Sequence, residues 1–137
     1  MVGSASAQSS FGYNTNVGLI TGSGWYTDTV TSALYKNNDW RGVLVYLDIN
    51  DTLSGGTNGV SVTLQIQGYD ETSATYYALL TSAAKTAPGQ TLMTVYPGCV
   101  AASNTVANLP LPKYWRVQLF VPSADTVKAT VGASVIR

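Results

Sequence analysis

Histidine is absent from the 137-residue sequence, which removes every catalytic triad and every metal site that depends on imidazole. Cysteine occurs once, at Cys99, so no internal disulfide framework exists. Stability must come from packing and from association, and Cys99 itself, among small apolar residues, reads as a buried, inert thiol. Charge is scarce: seven basic and seven acidic residues, a net charge of zero, and Glu71 as the sole glutamate. A nucleic-acid binder needs clustered Lys and Arg, so nucleic acid is not an expected partner. Low charge also offers little to keep copies apart in solution, so an oligomer or a partner is expected. No apolar run approaches the roughly eighteen residues of a membrane helix, so a membrane partner is not expected. Met1 to Gln8 has neither the basic start nor the apolar stretch of an export signal, which points to synthesis in a cytosol.

Helical periodicity is missing too. In its place are strands. Val60, Val62, Leu64 and Ile66 alternate with Ser61, Thr63, Gln65 and Gln67, a period of two with one dry and one wet face. Before them, Val43, Val45, Leu47 and Ile49 share one face, opposite Leu44, Tyr46 and Asp48. The loop between the two runs is rich in Gly, Ser, Thr and Asn and marks a chain reversal. The two runs are therefore expected to pair as an antiparallel hairpin, with Tyr76 to Thr81 as a third strand.

Residues 1–24 are a Gly, Ser and Asn-rich leader in which Phe11, Tyr13, Val17, Leu19 and Ile20 are spaced apolar anchors. Two readings stay open: a disordered terminus with a short edge strand, or an extended arm that docks on a neighbouring molecule. The second is the working expectation, because such anchors are wasted on a purely disordered tail. Trp25 to Tyr35, rich in Thr and aromatics, reads as one long strand. Pro88-Gly89 and Pro97-Gly98 are turns. The stretch from Cys99 to Pro112 is an extended crossover that its prolines keep out of a central strand. Trp115, Val117, Leu119 and Val121 face one way and Tyr114, Arg116, Gln118 and Phe120 the other. Val127, Ala129, Val131, Ala133 and Val135 share a face of the last strand. Seven or eight strands without a helix predict an all-β, two-sheet antiparallel sandwich over residues 25–137, jelly-roll or Greek-key-like, with residues 1–24 as an N-terminal arm. The predicted core is Val43, Val45, Leu47, Val60, Val62, Leu64, Ile66, Trp115, Val117, Leu119, Val131 and Val135.

Little in the sequence suggests chemistry. Ser82-Ala83-Ala84-Lys85 matches an S-x-x-K string, but the helix N-terminus and partner motifs that string requires are missing. Asp48, Asp51, Asp70 and Glu71 would gather at one end of the expected hairpin, where they could offer oxygens to Ca2+. Their spacing matches no known calcium loop, so turn residues and solvated edges are the expected role. Trp25, Trp40 and Trp115 border strands and read as core or sheet-edge residues rather than as a sugar platform. No catalytic residue, metal or cofactor is expected.

The runs G-V-L-V-Y-L-D-I, V-S-V-T-L-Q-I-Q-G-Y-D and Y-Y-A-L-L-T-S-A resemble a group of small structural proteins of tailed bacteriophages. The likeness continues through G-Q-T-L-M-T-V-Y-P-G, L-P-K-Y-W-R-V-Q-L-F-V and V-G-A-S-V-I, and covers roughly residues 40–137. It implies a non-enzymatic virion component, first of all a capsid decoration or cement protein. Such a protein sits on the outside of the shell of the major capsid protein, as a homotrimer, and braces it. The partly apolar outer faces fit self-association, through Leu44 with Tyr46 and Tyr114 with Phe120. The alternative role is a receptor- or carbohydrate-binding module of a tail or fibre, for which exposed aromatics on one sheet would be the marker.

Overall fold

The computed structural model describes residues 16–22, 24–54, 60–122 and 124–137. Among the described residues, ten strands build two sheets. They are β1 (Asn16–Ile20), β2 (Val30–Thr31), β3 (Tyr35–Lys36), β4 (Gly42–Ser54), β5 (Thr63–Asp70), β6 (Thr75–Thr81), β7 (Gly89–Val95), β8 (Val106–Ala107), β9 (Tyr114–Phe120) and β10 (Asp125–Ile136). One sheet, here A, has the order β1-β10-β4-β7-β8; the other, B, has β2-β9-β5-β6, with β3 also on β9. All pairings are antiparallel except β7 with β8. The fold is an all-β sandwich.

The core lies between the sheets and is built by the alternation. Val43, Val45, Leu47 and Ile49 of β4 meet Leu64 and Ile66 of β5 and Trp115, Val117 and Leu119 of β9 in one buried cluster. Met93 and Val95 of β7, with Val127, Ala129, Val131 and Ala133 of β10, complete it from sheet A. Eleven of the twelve expected core residues are buried. Val135 is the exception: it is half-buried against the cluster, one residue before the end of β10. Tyr35 stacks on Trp115 at 5.2 Å between ring centres.

The expected β4–β5 hairpin does not form. β4 pairs with β10 and β7 in sheet A, while β5 pairs with β9 and β6 in sheet B. Each run has a dry face, and two dry faces are buried as well by facing each other across a sandwich as by lying side by side. Alternation alone therefore does not distinguish the two arrangements. β6 does pair with β5, the only antiparallel hairpin among the described strands.

The long strand expected over Trp25 to Tyr35 is broken. Tyr26 exchanges two backbone hydrogen bonds with Val127 in sheet A, at 2.7 and 2.9 Å. Val30–Thr31 and Tyr35–Lys36 pair instead with β9 in sheet B. The segment has to cross between sheets, and the Asp28 and Ser32 side chains make local bonds, to the Thr29 N–H and the Ala33 carbonyl, that compete with the ladder. Between β2 and β3 the Ser32 hydroxyl accepts the Val117 N–H at 3.0 Å, a place a backbone carbonyl would fill.

The arm reading of Val17, Leu19 and Ile20 is corrected as well. Asn16–Ile20 pairs with β10 of its own chain, and Leu19 and Ile20 are buried in its own core. The boundary drawn at residues 24 and 25 thus cuts through the sandwich. An anchor buried at home gains its own-sheet hydrogen bonds without the loss of freedom that association entails. Phe11 and Tyr13 lie outside the described residues.

Candidate functional site

The carboxylates named for Ca2+ do not come together. Asp48 and Asp51 lie on β4 of sheet A, and Asp70 ends β5 of sheet B, because the hairpin that would have joined them is absent. No group of three or more Asp, Glu or Cys residues fit to hold a metal occurs among the described residues. Each carboxylate has a local task. Asp48 accepts from the Asn50 amide at 3.3 Å, and Asp51 from the Thr52 N–H at 2.9 Å. Asp70 closes the β5–β6 turn, accepting from the Ser73 hydroxyl at 2.7 Å and from the Thr72 and Ser73 N–H groups. The Ser73 hydroxyl, followed by the Thr72 N–H, holds the Asp70 carboxyl below its ordinary value. Asp125 was not singled out by its sequence context, yet it is buried and accepts the Ser61 N–H at 3.1 Å.

The S-x-x-K string is structural. Ser82 is buried, and its hydroxyl accepts from the Leu64 N–H and donates to the Ala83 carbonyl, both at 2.9 Å. The Lys85 backbone pairs with Val62. Cys99 is half-buried rather than buried, and its thiol donates to the Tyr96 carbonyl at 2.9 Å. Of the tryptophans, Trp115 is core, Trp40 is partly covered, and Trp25 is exposed with the Lys128 ammonium 5.4 Å from its ring centre.

The residues expected to support self-association separate into two groups. Leu44 and Tyr46 stand on the outer face of sheet A. Tyr114 and Phe120 stand on the outer face of sheet B. The two pairs point away from each other and do not form one patch. On sheet A, Tyr46 lies opposite Leu92 on β7 and opposite Gly132 on β10. Tyr46 and Leu92 are 38% and 49% exposed, at the middle of a sheet where polar residues would be the norm.

The outer face of sheet B is different in kind. Strand register sets Gln118 opposite Gln65 and Arg116 opposite Gln67. The side chains then lock together. Arg116 donates through Nε to Gln67 Oε1 at 2.7 Å. Gln67 Nε2 donates to Gln65 Oε1 at 2.7 Å and to Gln118 Oε1 at 3.1 Å. Gln65 and Gln118 pass the direction on to the hydroxyls of Thr81 and Thr31, each at 3.0 Å. The Arg116 guanidinium lies 3.4 Å from the ring centre of Tyr76, and Tyr76 packs on Tyr69 at 4.7 Å. Gln67 is only 6% exposed although it belongs to the solvent side of the sandwich. The wet faces of β5 and β9 were visible as residue types in the sequence. Their alignment into one network depends on the β5–β9 register, which no local signal reports.

Comparison with protein-family models, with curated proteins and with solved structures finds no match to this chain.

Proposed function

We propose that this chain is a non-enzymatic structural protein of a tailed-bacteriophage virion, a capsid decoration or cement protein on the outside of the major capsid protein shell. The observation that carries the reading is the apolar row Leu44, Tyr46 and Leu92 at the middle of sheet A's outer face. Contiguous apolar surface in such a place marks a site of association. A neutral chain with a single exposed ion pair among its described residues, Lys113 with Glu71, fits the same reading. It presents little charge repulsion to a second copy or to a shell. In this reading the sheet A face joins copies into a homotrimer, and the trimer braces the shell. In this reading the strands that cross between the sheets follow a Greek-key or jelly-roll-like path, which suits a rigid brace.

The test is the copy number on purified particles by quantitative mass spectrometry. Hundreds of copies per particle are expected; six to a few dozen would overturn the shell position. That second outcome would favour the alternative, a receptor- or carbohydrate-binding module of a tail or fibre. One observation speaks for it, namely the tyrosines and locked polar side chains on sheet B.

A further inference from the structure

We propose that the outer face of sheet B binds an acidic glycan, with Arg116 taking the carboxylate and the glutamine lattice taking the hydroxyls. The ligand class deepens the carbohydrate-binding alternative, but the site itself holds for either position in the virion.

The argument starts from the donor count. A guanidinium has five N–H groups and a primary amide has two. Arg116 uses Nε on Gln67, and no acidic side chain among the described residues pairs with it. Its terminal N–H groups remain for a ligand. Gln67 spends both amide hydrogens inside the lattice, whereas Gln65 and Gln118 spend one each, on Thr81 and Thr31. The hydroxyls of Thr31 and Thr81 accept these bonds and keep their own hydrogens to donate. The Arg116 and Gln118 rows therefore offer donors in surplus and no carboxylate. A complementary ligand brings acceptors: one anionic group for the planar fork, and hydroxyl oxygens around it.

The second step is preorganisation. Long polar side chains on a solvated sheet face are ordinarily mobile, and fixing one costs rotamer freedom. Here the bonds to Gln67 and the stacking on Tyr76 have already fixed them. A ligand meets the donors in place, which lowers the cost of binding. The lattice also sets their spacing, since adjacent strands lie about 4.8 Å apart. Tyr69, Tyr76 and Tyr114 border the lattice with partly exposed rings, on which the C–H face of a sugar ring can stack. A flat, donor-rich lattice with aromatic borders suits a sugar acid better than an acidic peptide, whose backbone would bring N–H groups to a surface already rich in donors.

The experiment titrates the full chain with oligogalacturonate, sialylated and neutral oligosaccharides on an array, with polyglutamate as a second probe. Acidic glycans are expected to bind and their neutral or esterified counterparts to bind at least about tenfold more weakly, the scale of a charged hydrogen bond. Arg116→Met should abolish the preference for acidic glycans. Arg116→Lys should retain the charge preference at lower affinity, because an ammonium has no fork. The melting temperature of each variant separates loss of binding from loss of fold. No acidic glycan bound above its neutral counterpart, or binding of polyglutamate alone, would overturn the proposal. Copy number on particles is a separate measurement, so a failed shell assignment and a failed glycan site are distinguishable.

Discussion

Gly42 sits against the carbonyl of Val95, so close that a methyl group on Gly42 would overlap that oxygen and crowd the Cα of Tyr96. The obstacle is backbone, which has nowhere to go without parting β4 from β7. Gly42→Ala is therefore expected to destabilise by about 1–3 kcal/mol, the range of overpacking in a well-filled interior. Gly24, where an added Cβ meets nothing within 4 Å, is the control. Urea unfolding of G42A and G24A should separate them, with G24A within about 0.5 kcal/mol of the parent.

The same comparison tests the core. Leu64 is fully buried between the sheets, whereas Leu53 is 61% exposed at the far end of β4. Leu53 turns outward because β4 carries a bulge. Asp51 opposes Lys128 and Ile49 opposes Ala129, so Asn50 is the extra residue and parity switches there. Leu64→Ala is expected to cost about 2–5 kcal/mol. Leu53→Ala should stay within about 0.5 kcal/mol, as surface changes do. Equal effects would mean that the assigned faces are wrong.

Acid should loosen the β5–β6 turn. The Ser73 hydroxyl and the Thr72 N–H stabilise the ionised Asp70, so its folded value lies below its unfolded one. That contribution is present above the unfolded carboxyl value and is lost as pH falls through the folded one. Ser73→Ala removes the largest cause, and the Asp70 carboxyl should then titrate closer to the ordinary aspartate range. Carbon-detected NMR titration of Asp70 in the two proteins checks this, and an unmoved value in S73A would refute it.

Self-association is expected to use one face only. Tyr46→Glu places a charge beside Leu92 and should shift sedimentation from trimer toward monomer. Phe120→Glu, on the opposite sheet, should leave it unchanged. The reverse result would move the interface to sheet B and would conflict with a glycan site there.

The faces of the strands were legible in the sequence, and their neighbours were not. Trp115, Val117 and Leu119 were placed inward by period alone, and all are buried. A period of two says which side of a strand is dry. It does not say which strand lies beside it, and here nearly every consecutive pair of strands is split between sheets or left unpaired. The β4–β5 error follows from that, and the expected carboxylate cluster failed with it. The Gln65, Gln67 and Gln118 lattice was hidden for the same reason, since it joins residues some fifty positions apart through strand register.

The N-terminal segment gives the sharpest reversal. Read as an arm, residues 1–20 should be removable with little change in melting temperature. In the structure Leu19 and Ile20 belong to the buried core, and Asn16 to Ile20 cover the edge of β10. Truncation would withdraw both side chains, each worth roughly 1.5–3 kcal/mol when fully buried. It would also strip the antiparallel partner from residues 131–134 and leave a long strand as an open edge, a template for pairing between copies. Deletion of residues 1–20 is therefore expected to lower the melting temperature clearly and to promote aggregation on heating. Ile20→Asp should reproduce the loss of stability without changing chain length, by placing an unpaired carboxylate in the core. Differential scanning calorimetry with light scattering reads both effects. A truncated chain that melts like the full one would restore the arm and remove β1 from the fold.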